Sequence, residues 1–411
     1  MKRNIGWNGF TLFVGLSCLL NLVINLINHR FHPGDFTVYY SAAKALTDGD
    51  PVYMVSFYTG SGFYKYSPVI LLFFLPYLPF GLKIASILHF LVQSLAYWLT
   101  YSVLRERMRV WFPGTAIRKE RWLLAFSFAA ILIHLTRELY VGNINILLLL
   151  LCTQSIHLVL TGKERAGGIV AGLAILAKPY LVILLLPALI RRRWKMLGWV
   201  STTVAAGLLI PFFYPGPQRA MDLYAGWIRS LGMHSDDFPG MTSIDYLVRL
   251  VVPAWPAWGI WIILLVLTGG VTLLILNHLR KERVPGEAGL TERNFAFEWF
   301  LLGALIPNLI KTDWVLLQFS APLIVFIIFT IGTRRNYGWI PLLVVLLFFY
   351  GANSDDLLGR ELSRNILHLG LMGLANFFLV IVGVVLYGKS QRSAVGSRQP
   401  AIGNQNSIHN S

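Results

Sequence analysis

Charged residues are scarce in this sequence, and cysteine is scarcer still. Only 13% of the 411 residues are charged, while 56% are hydrophobic; an ordinary soluble domain is about 25% charged. This balance excludes a soluble globular protein and indicates an all-α polytopic membrane protein. The two cysteines, Cys18 and Cys152, lie inside apolar runs, where they indicate neither a disulfide nor a metal site.

Motifs for nucleotides, metals and activated nucleophiles are also missing. We find no P-loop, no dinucleotide-binding glycine fingerprint, no His/Cys cluster at metal-ligand spacing and no Ser-His-Asp arrangement. We therefore expect no cofactor and no obligatory metal. The net charge of +16 would suggest nucleic-acid binding in a soluble protein. In a membrane protein the distribution of the basic residues matters more, and we expect no nucleic-acid partner.

Apolar runs predict about ten spanning helices plus one broken segment. The runs lie near residues 10–28, 84–104, 122–137, 144–161, 196–213, 255–279, 295–310, 314–332, 337–352 and 367–387. Residues 29–65 form the first outer loop. Lys and Arg concentrate in the loops on the opposite side, so that side is expected to be the cytoplasm and to hold both termini. Residues 1–388 then form one transmembrane domain. Residues 389–411, rich in Ser, Gly and Asn, are expected to be a disordered cytoplasmic tail.

Two apolar segments are interrupted. Residues 68–80 contain three prolines and predict an amphipathic or half-inserted segment on the outer face. Residues 166–190 have basic residues at both ends and a break at Lys178-Pro179. Each arm, about 12 residues or ~18 Å long, is too short for a ~30 Å bilayer core. We therefore predict a re-entrant hairpin whose tip, at Lys178, reaches a cavity on the outer side.

Polar side chains gather on the predicted outer side. Asp35 follows the first apolar run directly, and Lys65, Arg137, Lys178 and Asp313 fall on the same side. Charges at a membrane edge are costly and are usually functional. A lysine at a proline-broken tip also has no route by which its side chain could extend to the inner face. A fixed cation at this place suits a phosphate group.

Each of these positions also has a plainer interpretation. Asp35 could cap a short helix. Arg137 and Glu138 could form a local ion pair, and the tyrosines could belong to an interfacial aromatic belt. Asp48 and Asp50 are rival carboxylates, although their Gly- and Pro-flanked position favours a turn.

Four stretches of the chain resemble one family in order and spacing. They read GDFTVYYSAA with GDPVY (34–43, 49–53), YKYSP (64–68), GNIN (142–145), and AGG through AKPY to RRRW (166–194). A weaker match is TSIDYLVRL (242–250). Together they resemble glycosyltransferase family 87, the polyprenyl-phosphate-mannose-type transferases of the GT-C superfamily. Two departures are Asn143 in place of the usual Gln, and a late segment after Trp314 without the family's histidine.

The resemblance implies a GT-C-like helix bundle and an inverting glycosyltransferase in the cell (inner) membrane. A sugar, such as the hexose mannose, would pass from a polyprenyl-phosphate donor to a lipid or glycan acceptor on the outer face. Asp35 would deprotonate the acceptor hydroxyl, and the donor phosphate would be bound by Lys178, Arg137 and Lys65. The substrate pocket would be lined by Tyr39, Tyr40, Tyr66, Asn143, Asn145, Tyr180 and Asp313.

Two other classes remain open at this point. A membrane transporter or flippase of a lipid-linked or polar substrate would carry polar residues through the bilayer midplane and open to both sides. A non-catalytic membrane scaffold would not need a charged hairpin tip. The one-sided clustering of charge favours the enzyme over both.

Overall fold

The computed structural model describes residues 9–29, 31–58, 62–237, 240–282, 288–311, 314–351 and 354–396. Within these ranges the regular structure is helical, apart from an isolated bridge between Ser56 and Phe63. The predicted all-α membrane fold is therefore confirmed. Asp313, one of the predicted pocket residues, lies outside the described residues.

The N-terminal half contains nine α-helices in the described ranges. They are α1 (Gly9–Ile27), α2 (Gly34–Asp48), α3 (Pro68–Leu71), α4 (Gly81–Trp111), α5 (Ile117–Val141), α6 (Asn145–Leu160), α7 (Glu164–Ala177), α8 (Leu186–Ile190) and α9 (Trp194–Phe213). The 3-10 helix Leu75–Phe80 leads into α4, and the 3-10 helix Pro179–Leu185 leads into α8.

The C-terminal half continues with nine more in the ranges described. They are α10 (Pro217–Asp237), α11 (Ile244–Val251), α12 (Gly259–Glu282), α13 (Ala288–Leu309), α14 (Ala321–Thr333), α15 (Ile340–Tyr350), α16 (Asp355–Leu358), α17 (Arg360–His368) and α18 (Leu371–Gly396). The 3-10 helices Trp314–Ser320 and Tyr337–Trp339 precede α14 and α15. Helices α10 and α11 lie between the apolar runs 196–213 and 255–279, where no span is predicted.

Among the described residues, seven helical segments are long and apolar enough to cross a bilayer. They are Gly9–Ile27, Pro68–Trp111, Ile117–Val141, Trp194–Phe213, Gly259–Glu282, Trp314–Thr333 and Leu371–Gln391. The expected number was about ten. The difference arises because α6 and α15 are shorter than a span, and because α13 carries Glu292, Arg293 and Glu298.

Lipid-facing and central helices differ in exposure. Along α14 nearly every residue is buried, as expected for a helix that is apolar on all sides. By contrast, α1 buries only one stripe and exposes leucines such as Leu16 and Leu20. Exposed leucines are favourable in a bilayer, so the bundle has α14 at its centre and α1 at its periphery.

The broken segment is the predicted hairpin. Helix α7 ends at Ala177, Lys178 is extended (φ −135°, ψ 99°), and the next helical turn begins at Pro179. The two ends meet, because Arg193 Nη1 lies 2.8 Å from Glu164 Oε1. The chain therefore doubles back with Lys178 at its tip.

Glycines allow α7 to pack closely against its neighbour α9. A Cβ atom at Gly168 would lie 2.5 Å from the carbonyl oxygen of Met196, and one at Gly172 would lie 2.7 Å from Thr203. Small residues at a helix interface permit this approach inside a membrane. The close packing fixes the height of the hairpin tip relative to α9.

Two sequence boundaries need correction. Residues 68–80 are broken as predicted, but they are not separated from the following span. The turn at Gly81 joins them directly to α4. Helix α18 continues to Gly396, beyond the boundary at residue 388. Residues 397–411 of the predicted tail lie outside the described residues.

Candidate functional site

Asp35 stands in the first turn of α2 but does not cap it. The capping position is Pro33, whose carbonyl accepts from the backbone N–H of Thr37 at 2.8 Å. No side-chain capping bond is formed at this end of α2. The carboxylate of Asp35 is therefore available for other contacts, and the capping interpretation does not hold.

Asn143 is the hydrogen-bonding partner of Asp35. Its Nδ2 donates to Asp35 Oδ2 at 2.6 Å. Its Oδ1 accepts from Tyr66 Oη at 3.1 Å and from the backbone N–H of Ile144 at 2.7 Å. Because both donors approach Oδ1, the amide of Asn143 must present its NH2 group to Asp35.

Tyr39 extends this network. Its hydroxyl lies 3.0 Å from the hydroxyl of Tyr66, and the two rings meet edge to face at 5.3 Å. Burial raises the pKa of both phenols, so both remain protonated at neutral pH. The cluster thus brings Asp35, Asn143, Tyr66 and Tyr39 together from α2, the 53–67 loop and the α5–α6 turn.

Tyr40 is directed elsewhere. Its hydroxyl donates to the carbonyl of Leu78 at 3.2 Å. At about 100° per residue, Tyr39 lies about 40° from Asp35 around the helix, whereas Tyr40 lies about 140° away. Tyr39 therefore shares the face of α2 that carries Asp35, whereas Tyr40 lies on another face.

The α5–α6 turn is clamped by two buried residues that sequence reasoning missed. His89 Nε2 lies 3.1 Å from the carbonyl oxygen of Gly142. Gln93 Nε2 donates to the carbonyl of Asn143. Both side chains come from α4, four residues apart, and so from one helix face. A His and a Gln at that spacing inside an apolar run are the signal that could have revealed them.

Glu138 is a further missed residue. It is fully buried, and its Oε1 accepts from the backbone N–H of Asn145 at 2.7 Å while its Oε2 accepts from Asn145 Nδ2 at 3.2 Å. The carboxylate therefore binds the first residue of α6, and the local ion pair with Arg137 considered from the sequence is not its arrangement.

Lys178 reaches the same turn from the hairpin tip. Its Nζ donates to Asn145 Oδ1 at 2.5 Å and lies 5.5 Å from the centroid of the Tyr66 ring. The ring of Tyr180 is 5.9 Å from the same ammonium. The hydroxyl of Tyr180 is buried and has no hydrogen-bond partner among the described residues. The predicted residues Lys178, Asn145, Tyr66 and Tyr180 are thus gathered at one place.

Arg137 and Lys65 contribute two further positive charges near Asp35. The exposed guanidinium of Arg137 lies 5.5 Å from the Tyr140 ring and 5.7 Å from the Trp314 ring. The backbone carbonyl of Lys65 accepts from Trp227 Nε1 at 3.2 Å, which ties the 53–67 loop to α10. Both side chains interact electrostatically with Asp35.

The environment of Asp35 favours a basic carboxylate. Burial raises its pKa, and the hydrogen bond from Asn143 and the charges of Lys178, Arg137 and Lys65 only partly offset this. A carboxyl group with a raised pKa is a better proton acceptor than a free aspartate. Asp35 can therefore act as a general base while nearby cations stabilise its ionised form.

The rival carboxylates lie apart from this cluster. Asp48 is exposed at the far end of α2, about 20 Å from Asp35 along the helix axis. Asp50 is exposed in the following turn, where its backbone carbonyl accepts from Arg219. Their surroundings are those of turn residues.

An apolar groove opens beside the cluster. It has a volume of about 280 Å³ and is lined by α3, α7 and α9, including Ile70, Leu176 and Trp199. Ser67, next to α3, donates to the carbonyl of Leu176 at 2.6 Å, two residues before Lys178. The groove can therefore hold a hydrocarbon chain whose polar end lies near Lys178.

A metal site is not apparent in the ranges that the structure describes. No group of three or more His, Cys, Asp or Glu side chains converges there. Independence from metals and cofactors stays a prediction.

Comparison with known proteins identifies the family. The profile of Glycosyltransferase family 87 matches residues 63–303, more than half of the chain. An alpha-(1->3)-arabinofuranosyltransferase of Corynebacterium glutamicum is 27% identical over 288 residues, which cover 66% of this chain and 65% of that protein. The chain thus spans slightly less than two thirds of that relative's length. On its sequence match and its multi-pass helical fold, the chain belongs to glycosyltransferase family 87.

Proposed function

We propose that this membrane glycosyltransferase uses a polyprenyl-phosphate sugar as donor and Asp35 as the catalytic base. The observation that carries the proposal is the convergence of one carboxylate and one ammonium on neighbouring asparagines. Asn143 binds Asp35, and Asn145, two residues later, binds Lys178. A base and a phosphate-binding cation are therefore held by a single turn.

The reaction would be a single displacement with inversion. The acceptor hydroxyl loses its proton to Asp35 as its oxygen forms a bond to the anomeric carbon. The bond from that carbon to the phosphate oxygen breaks, and polyprenyl phosphate leaves. Lys178 faces the charge that develops on the leaving phosphate, where a positioned cation is most effective.

The apolar groove supports a lipid-borne donor. Its lining is almost entirely apolar and includes Leu176, whose carbonyl accepts from Ser67 and which lies two residues before Lys178. A polyprenyl chain in the groove would place its phosphate near the ammonium without entry of a nucleotide. The hydroxyl of Tyr180, which no other described residue engages in a hydrogen bond, is a further donor for the phosphate.

Two sugars are candidates. The motif resemblance favours a hexose such as mannose, whereas the C. glutamicum relative is named for arabinofuranose. The acceptor would be a lipid or glycan on the outer face of the cell (inner) membrane, since the charges around Asp35 belong to the side that the basic-residue distribution places outside.

The test is sugar transfer by the purified protein in lipid nanodiscs. Labelled polyprenyl-phosphate mannose and polyprenyl-phosphate arabinofuranose are supplied separately with a lipid extract as acceptor. Transfer from either donor, with an inverted anomeric configuration in the product, supports the proposal and selects the sugar.

Reconstituted vesicles separate the enzyme from a transporter or flippase. If labelled donor crosses the bilayer and no glycosylated product forms from either sugar, the proposal is contradicted. Retention of the anomeric configuration would contradict the single displacement.

A further inference from the structure

We infer that Glu138 is a positioning residue that fixes the Lys178 ammonium at the site through Asn145. The assignment of Lys178 to phosphate binding rests on the proposed function, whereas the positioning of its ammonium by Glu138 does not. Neither the sequence motifs nor the family match assigns this carboxylate a role.

The hydrogen bonds leave Asn145 only one orientation. Glu138 accepts from both the backbone N–H and the side-chain NH2 of Asn145, at 2.7 and 3.2 Å. Because both oxygens of Glu138 act as acceptors in these contacts, the NH2 group of Asn145 faces Glu138. The opposite atom of the amide, Oδ1, must then face outward, where it accepts from Lys178 at 2.5 Å.

Lys178 needs this acceptor because backbone hydrogen bonds fix its main chain but not the position of its ammonium. It lies in extended conformation between two helical segments, and its long side chain is flexible. The bond to Asn145 holds Nζ 5.5 Å from the Tyr66 ring, within the network that contains Asp35. Glu138 therefore sets the position of the cation relative to the base.

Burial makes the arrangement depend on a carboxylate. Glu138 and Asn145 are almost completely inaccessible, with exposed fractions of 0% and 1%, so a mismatch cannot be relieved by solvent. Glutamine at 138 would place one NH2 group against another. Asn145 would then turn its own NH2 toward the ammonium, and two donors would face each other.

A polarity swap distinguishes positioning from a merely structural role. In Glu138→Gln the acceptor for Asn145 Nδ2 is lost. In the double variant Glu138→Gln/Asn145→Asp, the glutamine NH2 donates to the new carboxylate, which also accepts from Lys178. The double variant has the same charge as the native pair and restores the side-chain bonds with the donor and acceptor reversed.

The first measurement is the rate of Lys178 acylation by a small amine-reactive reagent. It is followed by peptide mass spectrometry and normalised to the exposed Lys83. We expect Glu138→Gln to react about tenfold faster, as for loss of one hydrogen bond to a charged group. The double variant should return to the native rate. Glu120→Gln, which removes another buried carboxylate of α5, is the control and should leave the rate unchanged.

The second measurement is the affinity for polyprenyl phosphate in nanodiscs, which should fall about tenfold in Glu138→Gln and recover in the double variant. If the native protein does not bind this ligand, the proposed donor is wrong, while the acylation rates still decide the positioning. An unchanged acylation rate in Glu138→Gln, or a raised rate that the double variant does not reverse, would overturn the inference.

Discussion

Asn143 Nδ2 lies 2.6 Å from Asp35 Oδ2, across 108 positions of sequence. The bond joins the start of α2 to the α5–α6 turn and fixes the direction of the carboxylate. The same turn holds Lys178 through Asn145. The relative placement of the Asp35 carboxylate and the Lys178 ammonium is thus a property of the turn.

Asn143→Asp should impair the base while leaving the shape of the site nearly unchanged. Two carboxyl groups at hydrogen-bond distance cannot both ionise easily, so the pKa of Asp35, already raised by burial, should rise further. The acidic limb of the pH–rate profile should therefore move to higher pH, and turnover at neutral pH should fall about 10–100-fold. An acidic limb that stays in place would argue against Asp35 as the titrating base.

Lys178→Met should weaken donor binding without unfolding the protein. The substitution keeps an unbranched chain near the Tyr66 and Tyr180 rings but removes the charge. Because hydrogen bonds to charged groups are worth about 1.5–3 kcal/mol, polyprenyl-phosphate affinity should fall at least about tenfold.

Lys178→Arg is the matched variant for that experiment. It keeps the charge with a different hydrogen-bond geometry and should recover part of the affinity. Equal affinities of native protein and Lys178→Met would assign the lysine a structural role.

Gly142→Ala should destabilise the protein through the turn that carries Asn143. Gly142 has φ +72°, and a Cβ atom there would lie 2.8 Å from Phe36 Cβ. A residue other than glycine held at positive φ costs about 1–3 kcal/mol of stability. The close contact of the added Cβ with Phe36 in α2 increases this cost. Gly162→Ala is the control, since Gly162 has φ +78° and a Cβ atom added there would meet nothing within 4 Å. The thermal unfolding transition should fall further for Gly142→Ala than for Gly162→Ala; equal shifts would show that the contact with Phe36 is relieved at no cost.

Cysteine labelling tests the orientation of the bundle. Asp50→Cys and Arg192→Cys introduce thiols at exposed positions, while the native Cys18 and Cys152 are buried and should give little background. In intact cells an impermeant reagent should modify residue 50 and spare residue 192. Reaction of both from the same face would contradict the topology with 29–65 outside.

The hairpin tip and Asp35 could be predicted because their signals are local. A proline next to a lysine, with basic residues on both sides, determines where the hairpin breaks, and the end of the first apolar run places Asp35 just beyond α1. The role of Glu138 could not be read in this way. It depends on contacts with Asn145 and, through it, with a lysine from another helical segment. From sequence alone, a glutamate next to an arginine predicts a local ion pair, and only the structure shows that Glu138 binds Asn145 instead.

The two tyrosines of α2 show that neighbours in sequence can have separate partners. Tyr39 and Tyr40 are adjacent in sequence, yet one binds Tyr66 and the other binds the 3-10 helix before α4. Hydropathy likewise does not separate a short, largely buried helix such as α6 from a longer helix that faces lipid.

The most direct test of the account is the turnover of Asp35→Asn beside that of Asp50→Asn in purified protein with saturating donor. Asparagine keeps the size of the side chain and removes the base. We predict that Asp35→Asn lowers turnover about 10²–10⁴-fold with donor binding retained, and that Asp50→Asn remains near the native rate. Near-native turnover of Asp35→Asn together with loss of turnover in Asp50→Asn would contradict the assignment of Asp35 as the base.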